Sequence, residues 1–120
     1  MTEKILIYSY SKCNSCRKAL KWLQENNFSF EVLDIIKDPP SKERLLQAFK
    51  QFGGCKKLFN KSGKSYRNIG SKVIKSMTPE QSLEALSNDP KLIKRPFLLT
   101  DKGEFIVGFN ELVWSETLKK

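Results

Sequence analysis

The chain of 120 residues contains no histidine. Ser-His-Asp and Cys-His nucleophilic sites are thereby excluded, because each needs an imidazole to take the proton. Cysteine is scarce as well, with three residues at positions 13, 16 and 55. A small odd number does not make the disulfide framework of a secreted domain. A closed zinc site takes about four Cys or His ligands, so no metal centre is expected. No apolar run approaches the roughly 20 residues of a membrane span. The polar start and short apolar stretch that follows do not read as a secretory leader. The cytosol (cytoplasm) is the expected compartment, where a disulfide is usually transient and functional. Acid is missing from one segment: between Arg44 and Pro79 there are nine Lys or Arg and no Asp or Glu. Elsewhere thirteen cations balance thirteen acids, so the whole net charge of +9 belongs to that segment. A patch of one sign attracts nucleic acid, an acidic protein surface or an oxyanion. It is equally readable as a solvated lysine face.

What is present is dominated by Cys13-Asn14-Ser15-Cys16, set between the apolar run Ile5-Leu6-Ile7-Tyr8 and a helix-like run from Ser15. The first N–H groups of a helix lack internal partners, and the peptide dipoles sum to partial positive charge there. A thiolate at that place is stabilised, and Lys12, Arg17 and Lys18 push the same way. A C-x-x-C at a strand–helix junction in a cytosolic chain reads as a thioredoxin-like redox motif. Haem attachment would need His after the second cysteine, where Arg17 stands. Two cysteines that merely pack are the plain structural alternative.

Hydrophobic patterning predicts a buried strand over 4–10 and a helix over 15–27 with Cys16, Ala19, Leu20 and Leu23 on one face. A second strand follows over 28–36, giving a parallel β–α–β unit. Pro39-Pro40 breaks the chain, and Ser41 caps a helix with Leu45, Leu46, Phe49 and Phe52 as its apolar face. Gly53-Gly54 stops that helix, and 55–77 reads as short helical turns and loops. Thr78-Pro79-Glu80-Gln81 is a capping box opening a helix with Leu83 and Leu86 inward. Phe97–Thr100 and 104–108 form an antiparallel pair, and Asn110 caps a last helix. The expected fold is α/β and thioredoxin-like (β-α-β, helical insert, β-β-α) with a mixed four-stranded sheet. One domain, 1–120, is expected, with residues 41–91 as the helical insert. In this architecture a cis-proline precedes the third strand. Pro96 is therefore expected to be cis, and Arg95 to bring a permanent positive charge to Cys13 rather than sit as a surface arginine.

Taken together, Tyr8, Cys13, Cys16, Arg17, Lys18 and Ala19, then Pro39-Pro40-Ser41, Leu58-Phe59-Asn60-Lys61-Ser62-Gly63, Tyr66-Arg67, Leu92-Ile93-Lys94-Arg95-Pro96 and Val107-Gly108-Phe109, resemble the arsenate-reductase/Spx family of thioredoxin-fold proteins. The match runs in order over residues 4–115. It implies that Cys13 is the nucleophile and that Arg95 is the arginine preceding the cis-proline. The arsenate reductases of the family use two further oxyanion-binding arginines, whose places here hold Asn60 and Gly108. Both departures count against arsenate reduction. Those reductases usually lack a second cysteine. Cys16 is instead similar to the switch pair of Spx-type regulators, which bind the carboxy-terminal domain of the α-subunit of RNA polymerase and not DNA alone. The segment Asn60–Gly63 with Tyr66-Arg67 looks more like the reductase-like branch.

The resemblance therefore implies a cytosolic thiol–disulfide redox protein, an arsenate-reductase-like oxidoreductase. Cys13, Cys16 and Arg95 are its catalytic residues, and Pro96, Lys12, Arg17 and Asn60 support them. It implies no bound cofactor, only an external thiol donor such as glutathione with glutaredoxin or thioredoxin. The alternatives are a redox-sensing regulator docking on the RNA polymerase α-subunit and, more weakly, a genuine arsenate reductase. A monomer without membrane contact or sequence-specific DNA recognition is expected. Cys55 reads as a small hydrophobe near the start of the insert or, less simply, as a distant resolving thiol.

Overall fold

A computed structural model describes residues 4–119. The chain divides into two compact units. The first takes the residues up to Asp34 and those from Arg95 onward; the second is Ile35–Lys94, within which the expected insert falls.

The first unit is built on a four-stranded sheet. Its elements are β1 (Ile5–Ser9), α1 (Asn14–Glu25), β2 (Phe30–Asp34), β3 (Phe97–Leu99), β4 (Phe105–Val107) and α6 (Glu111–Leu118). The strand order is β2-β1-β3-β4, with β1 parallel to β2 and antiparallel to β3, and β3 antiparallel to β4. This is the mixed, thioredoxin-like sheet that the sequence predicts. Alternation along the strands sorts Ile7, Leu98 and Ile106, which are mutual cross-strand partners, onto one face. There they form a core with Ala19, Trp22 and Leu23 of α1 and Trp114 of α6. Trp22 and Trp114 meet edge to face at 5.8 Å, and Phe109 meets Trp114 at 4.9 Å. Tyr8, Phe97 and Phe105 occupy the other face as a row of ring contacts at 5.6 and 5.5 Å.

Two sequence expectations shift here. On α1 the fourth buried position is Trp22, at 7% exposure, while Leu20 is only half-buried. The second strand is shorter than the predicted 28–36. It lies at the sheet edge with Val32 exposed, and the chain turns after Asp34, so the buried Ile35 belongs to the second unit. An apolar run cannot by itself distinguish a continuing strand from a buried turn.

The second unit contains α2 (Lys42–Phe52), a 3₁₀ turn (Lys56–Leu58), α3 (Lys64–Ile69), α4 (Ser71–Lys75), α5 (Pro79–Asn88) and a second 3₁₀ turn (Pro90–Leu92). Ser41 Oγ accepts from the Arg44 N–H, and Thr78 and Gln81 complete their capping box. α2 buries Leu45 and Ala48, whereas Leu46, expected on the apolar face, is largely exposed. The exposed ammonium of Lys42 meets Glu84 of α5 at 2.5 Å. The Asn60 N–H donates to the Leu92 carbonyl at 2.7 Å and the Lys94 N–H to Leu58 at 2.7 Å, which ties the loop before α3 to the segment after α5.

Candidate functional site

The junction of β1 and α1 carries both thiols, Cys13 at the end of the loop and Cys16 in the first turn of the helix. Cys13 is the N-cap of α1: its backbone is extended, and its Sγ accepts from the Cys16 N–H at 3.3 Å. A sulfur thus takes the place usually held by a Ser or Asp oxygen, satisfying one of the orphan donors of the first turn. Cys16 lies one turn in and is fully buried, while Cys13 is half-exposed. Cys16 Sγ accepts from the Tyr10 N–H at 3.4 Å. Burial is the main reason that the Cys16 thiol is pushed up to about 11; the Cys13 thiol beside it adds to the rise, and the Tyr10 N–H opposes it. Cys16 is therefore protonated at neutral pH. All three cysteines are free thiols.

Arg95 reaches the same loop from the other side. The register pairs Tyr8 with Phe97, which sets the end of β1 beside the start of β3. The Arg95–Pro96 peptide bond is cis, as expected, and Pro96 is fully buried. The Arg95 guanidinium sits 4.7 Å from the centroid of the Tyr10 ring, within cation–π range. Arg95 thus stacks on the residue whose backbone N–H holds Cys16. The Pro96 carbonyl accepts from the Gly108 N–H at 2.9 Å, and the Gly108 carbonyl accepts from the Trp114 indole N–H at 3.0 Å. Gly108 has φ +71°, in the left-handed region where a side chain is disfavoured.

The supporting residues divide. Lys12 and Lys18 are exposed beside the loop. Arg17, also exposed, donates to the Ser11 carbonyl at 2.8 Å and to the Asn14 side chain, bracing the loop that carries Cys13. Asn60 belongs to the second unit. It is buried, its side-chain oxygen accepts from Ser62 Oγ at 3.2 Å, and a Cβ added at Gly63 would fall 2.7 Å from its amide nitrogen. Its amide closes a tight loop, and a side chain at 63 would have to displace it. Cys55 precedes the 3₁₀ turn of the second unit, half-buried; burial pushes its thiol up, against a hydrogen bond with Ser82. Tyr10 and Ser9 are not marked by the sequence as site residues. Both touch Cys16 by hydrogen bonding, and the one sequence signal is an aromatic three residues before the first cysteine. Among the described residues no group of three or more His, Cys, Asp or Glu is placed to hold a metal ion, and no helix is long and apolar enough to cross a membrane.

These environments predict an order of alkylation. With iodoacetamide at neutral pH, Cys13 should react first, and Cys16 and Cys55 should lag, because both are held as thiols by burial. Mass mapping after partial labelling reads this directly; first labelling at Cys16 would contradict it.

Comparison with known proteins places the chain among relatives. A profile of the ArsC family matches residues 8–117. The uncharacterised protein YusI of Bacillus subtilis is 42% identical over 109 residues, covering 89% of this chain and 92% of YusI. The global transcriptional regulator Spx of Streptococcus agalactiae is 34% identical over 109 residues, covering 89% of this chain and 77% of Spx. Among solved structures, an ArsC family related protein from Bacteroides fragilis superposes with a TM-score of 0.86 at 35% identity, covering 97% of this chain and 98% of that one.

Proposed function

Because the chain belongs to the ArsC family, we propose that it is a thiol–disulfide oxidoreductase of the reductase-like kind that works through Cys13 and Cys16. The observation carrying this reading is the division of labour at the start of α1: a half-exposed sulfur at the N-cap, and a buried partner thiol in the first turn that receives its own hydrogen bond. In the first step the Cys13 thiolate attacks one sulfur of a disulfide substrate. A mixed disulfide forms and the other sulfur departs as a thiolate. In the second step Cys16 loses its proton to the departing group and attacks the Cys13 sulfur. The Cys13–Cys16 disulfide forms and the second substrate thiol is released. An external thiol donor, glutathione with glutaredoxin or thioredoxin, returns the pair to the dithiol. Arg95, anchored on Tyr10, contributes a fixed cation, and the helix N-terminus offers N–H groups to the attacking sulfur.

Arsenate is not the proposed substrate. The two places that the family's arsenate reductases fill with arginine hold Asn60 and Gly108. Each lost charge-assisted contact is worth about 1.5–3 kcal/mol, so the combined loss of affinity is expected to exceed roughly 100-fold. The expected result is turnover of a glutathione mixed disulfide with thioredoxin or glutaredoxin as donor, and negligible arsenate reduction under the same donors. The reverse pattern would overturn the proposal.

A second reading, a redox-sensing regulator, is favoured by the likeness to Spx together with the paired cysteines. It is distinguished by capture: if one redox form retains the α-subunit of RNA polymerase in a salt-sensitive way, with no disulfide turnover, the regulator is supported over the enzyme.

A further inference from the structure

Within the second unit lies a cavity of about 450 Å³. That volume falls in the range of small-molecule sites, about 300–1,000 Å³. The walls are apolar and well held: Phe59, Tyr66 and Ile74 are buried, and Phe49 and Met77 are half-buried. Phe59 and Tyr66 are braced edge to face at 6.1 Å. Three lysines, Lys56, Lys61 and Lys75, also line the cavity, and all three are exposed side chains. A lysine in that position lays its aliphatic stem along the wall and keeps its ammonium at the wet rim. Among the described residues no acidic one lines the cavity, and none occurs between Arg44 and Pro79, so nothing in that segment neutralises the three cations. Deeper polar groups are few: Ser82 is buried and hydrogen bonds with the Cys55 thiol. Burial pushes that thiol up, which disfavours the reactive thiolate.

We propose that this cavity binds a small amphipathic carboxylate, an apolar chain or ring carrying one anionic head. The apolar body would fill the space between Phe49, Phe59, Tyr66 and Met77, and the head would sit among Lys56, Lys61 and Lys75. The combination of walls and rim selects this class. A neutral hydrocarbon would leave the cations unused, and a small inorganic anion would leave the apolar wall wet.

Decanoate and decanol serve as probes of equal length with and without the charge. Titration calorimetry on the full chain should show decanoate binding at least about tenfold more tightly than decanol. That difference should shrink as salt shortens the Debye length from about 10 Å at 0.1 M to about 3 Å at 1 M. Amide shifts on adding decanoate should concentrate at Gly54, Cys55, Met77 and Ser82. The double variant K61Q/K75Q alters exposed positions only and should keep its fold by circular dichroism while losing the preference for decanoate. Equal binding of the two probes would overturn the proposal, as would shifts spread over lysines outside the cavity or a preference retained in the variant. If decanoate fails to bind while an oligoglutamate peptide does, the face is a docking surface for acidic protein and the proposal fails.

Discussion

Replacing Cys13 by serine is expected to abolish disulfide turnover, with a loss on the order of 10³-fold or more, as for other enzymes stripped of their nucleophile. The reason is local. Cys13 Sγ is the half-exposed sulfur at the N-cap of α1, where it accepts the Cys16 N–H. A serine hydroxyl can keep that hydrogen bond, so the fold should be retained while the chemistry is lost. Cys16→Ser should behave differently. Attack on the substrate still proceeds, but no thiol one turn away resolves the adduct, so a Cys13 mixed disulfide should accumulate and be visible by intact mass. Cys55→Ser should leave turnover unchanged, since the proposed steps use only Cys13 and Cys16 and the Cys55 thiol is engaged with Ser82. Full turnover by Cys13→Ser, or trapping in Cys55→Ser rather than Cys16→Ser, would overturn the assignment.

The largest loss of stability is expected from Trp114→Ala. Trp114 is fully buried, touches Trp22 and Phe109 edge to face, and donates its indole N–H to the Gly108 carbonyl. Truncating a buried tryptophan typically costs about 3–5 kcal/mol, a large part of the roughly 5–15 kcal/mol that holds a domain of this kind together. Trp114→Phe keeps ring packing but leaves the Gly108 carbonyl without this donor, so it should cost less, about 1–3 kcal/mol. Urea unfolding midpoints at neutral pH measure both. An unchanged midpoint in Trp114→Ala would show that the packing between α6 and the sheet is not as described.

Local signals are legible wherever one short segment carries its own answer. The caps at Ser41, Thr78 and Asn110 depend on one side chain and the N–H two or three residues on, and each forms as its sequence suggests. The parallel β1–β2 and antiparallel β3–β4 pairs follow from a β–α–β start and a β–β–α finish, whereas the pairing of β1 with β3 joins strands far apart in the chain. The cis-proline at 96 is expected from the architecture, not from its neighbours. Leu46 and Leu112 are less legible. They are apolar yet exposed at 37% and 68%, since a helix pattern indicates a stripe but not how far the neighbouring surface reaches.

By itself the sequence determined the elements, their order, the paired cysteines at a helix entrance and the concentration of positive charge between residues 44 and 79, since each depends on near neighbours or on composition. Only the tertiary structure decided which sulfur is half-exposed and which is buried, that Tyr10 both supports Arg95 and donates to Cys16, and that Asn60 closes a loop against Gly63. It also brought lysines and aromatic rings from separate turns around one cavity. The physical reason is common to all of these: burial and hydrogen-bond partnership depend on groups far apart in the chain, and no local pattern of residues specifies what a side chain meets once the strands have paired and the helices have packed.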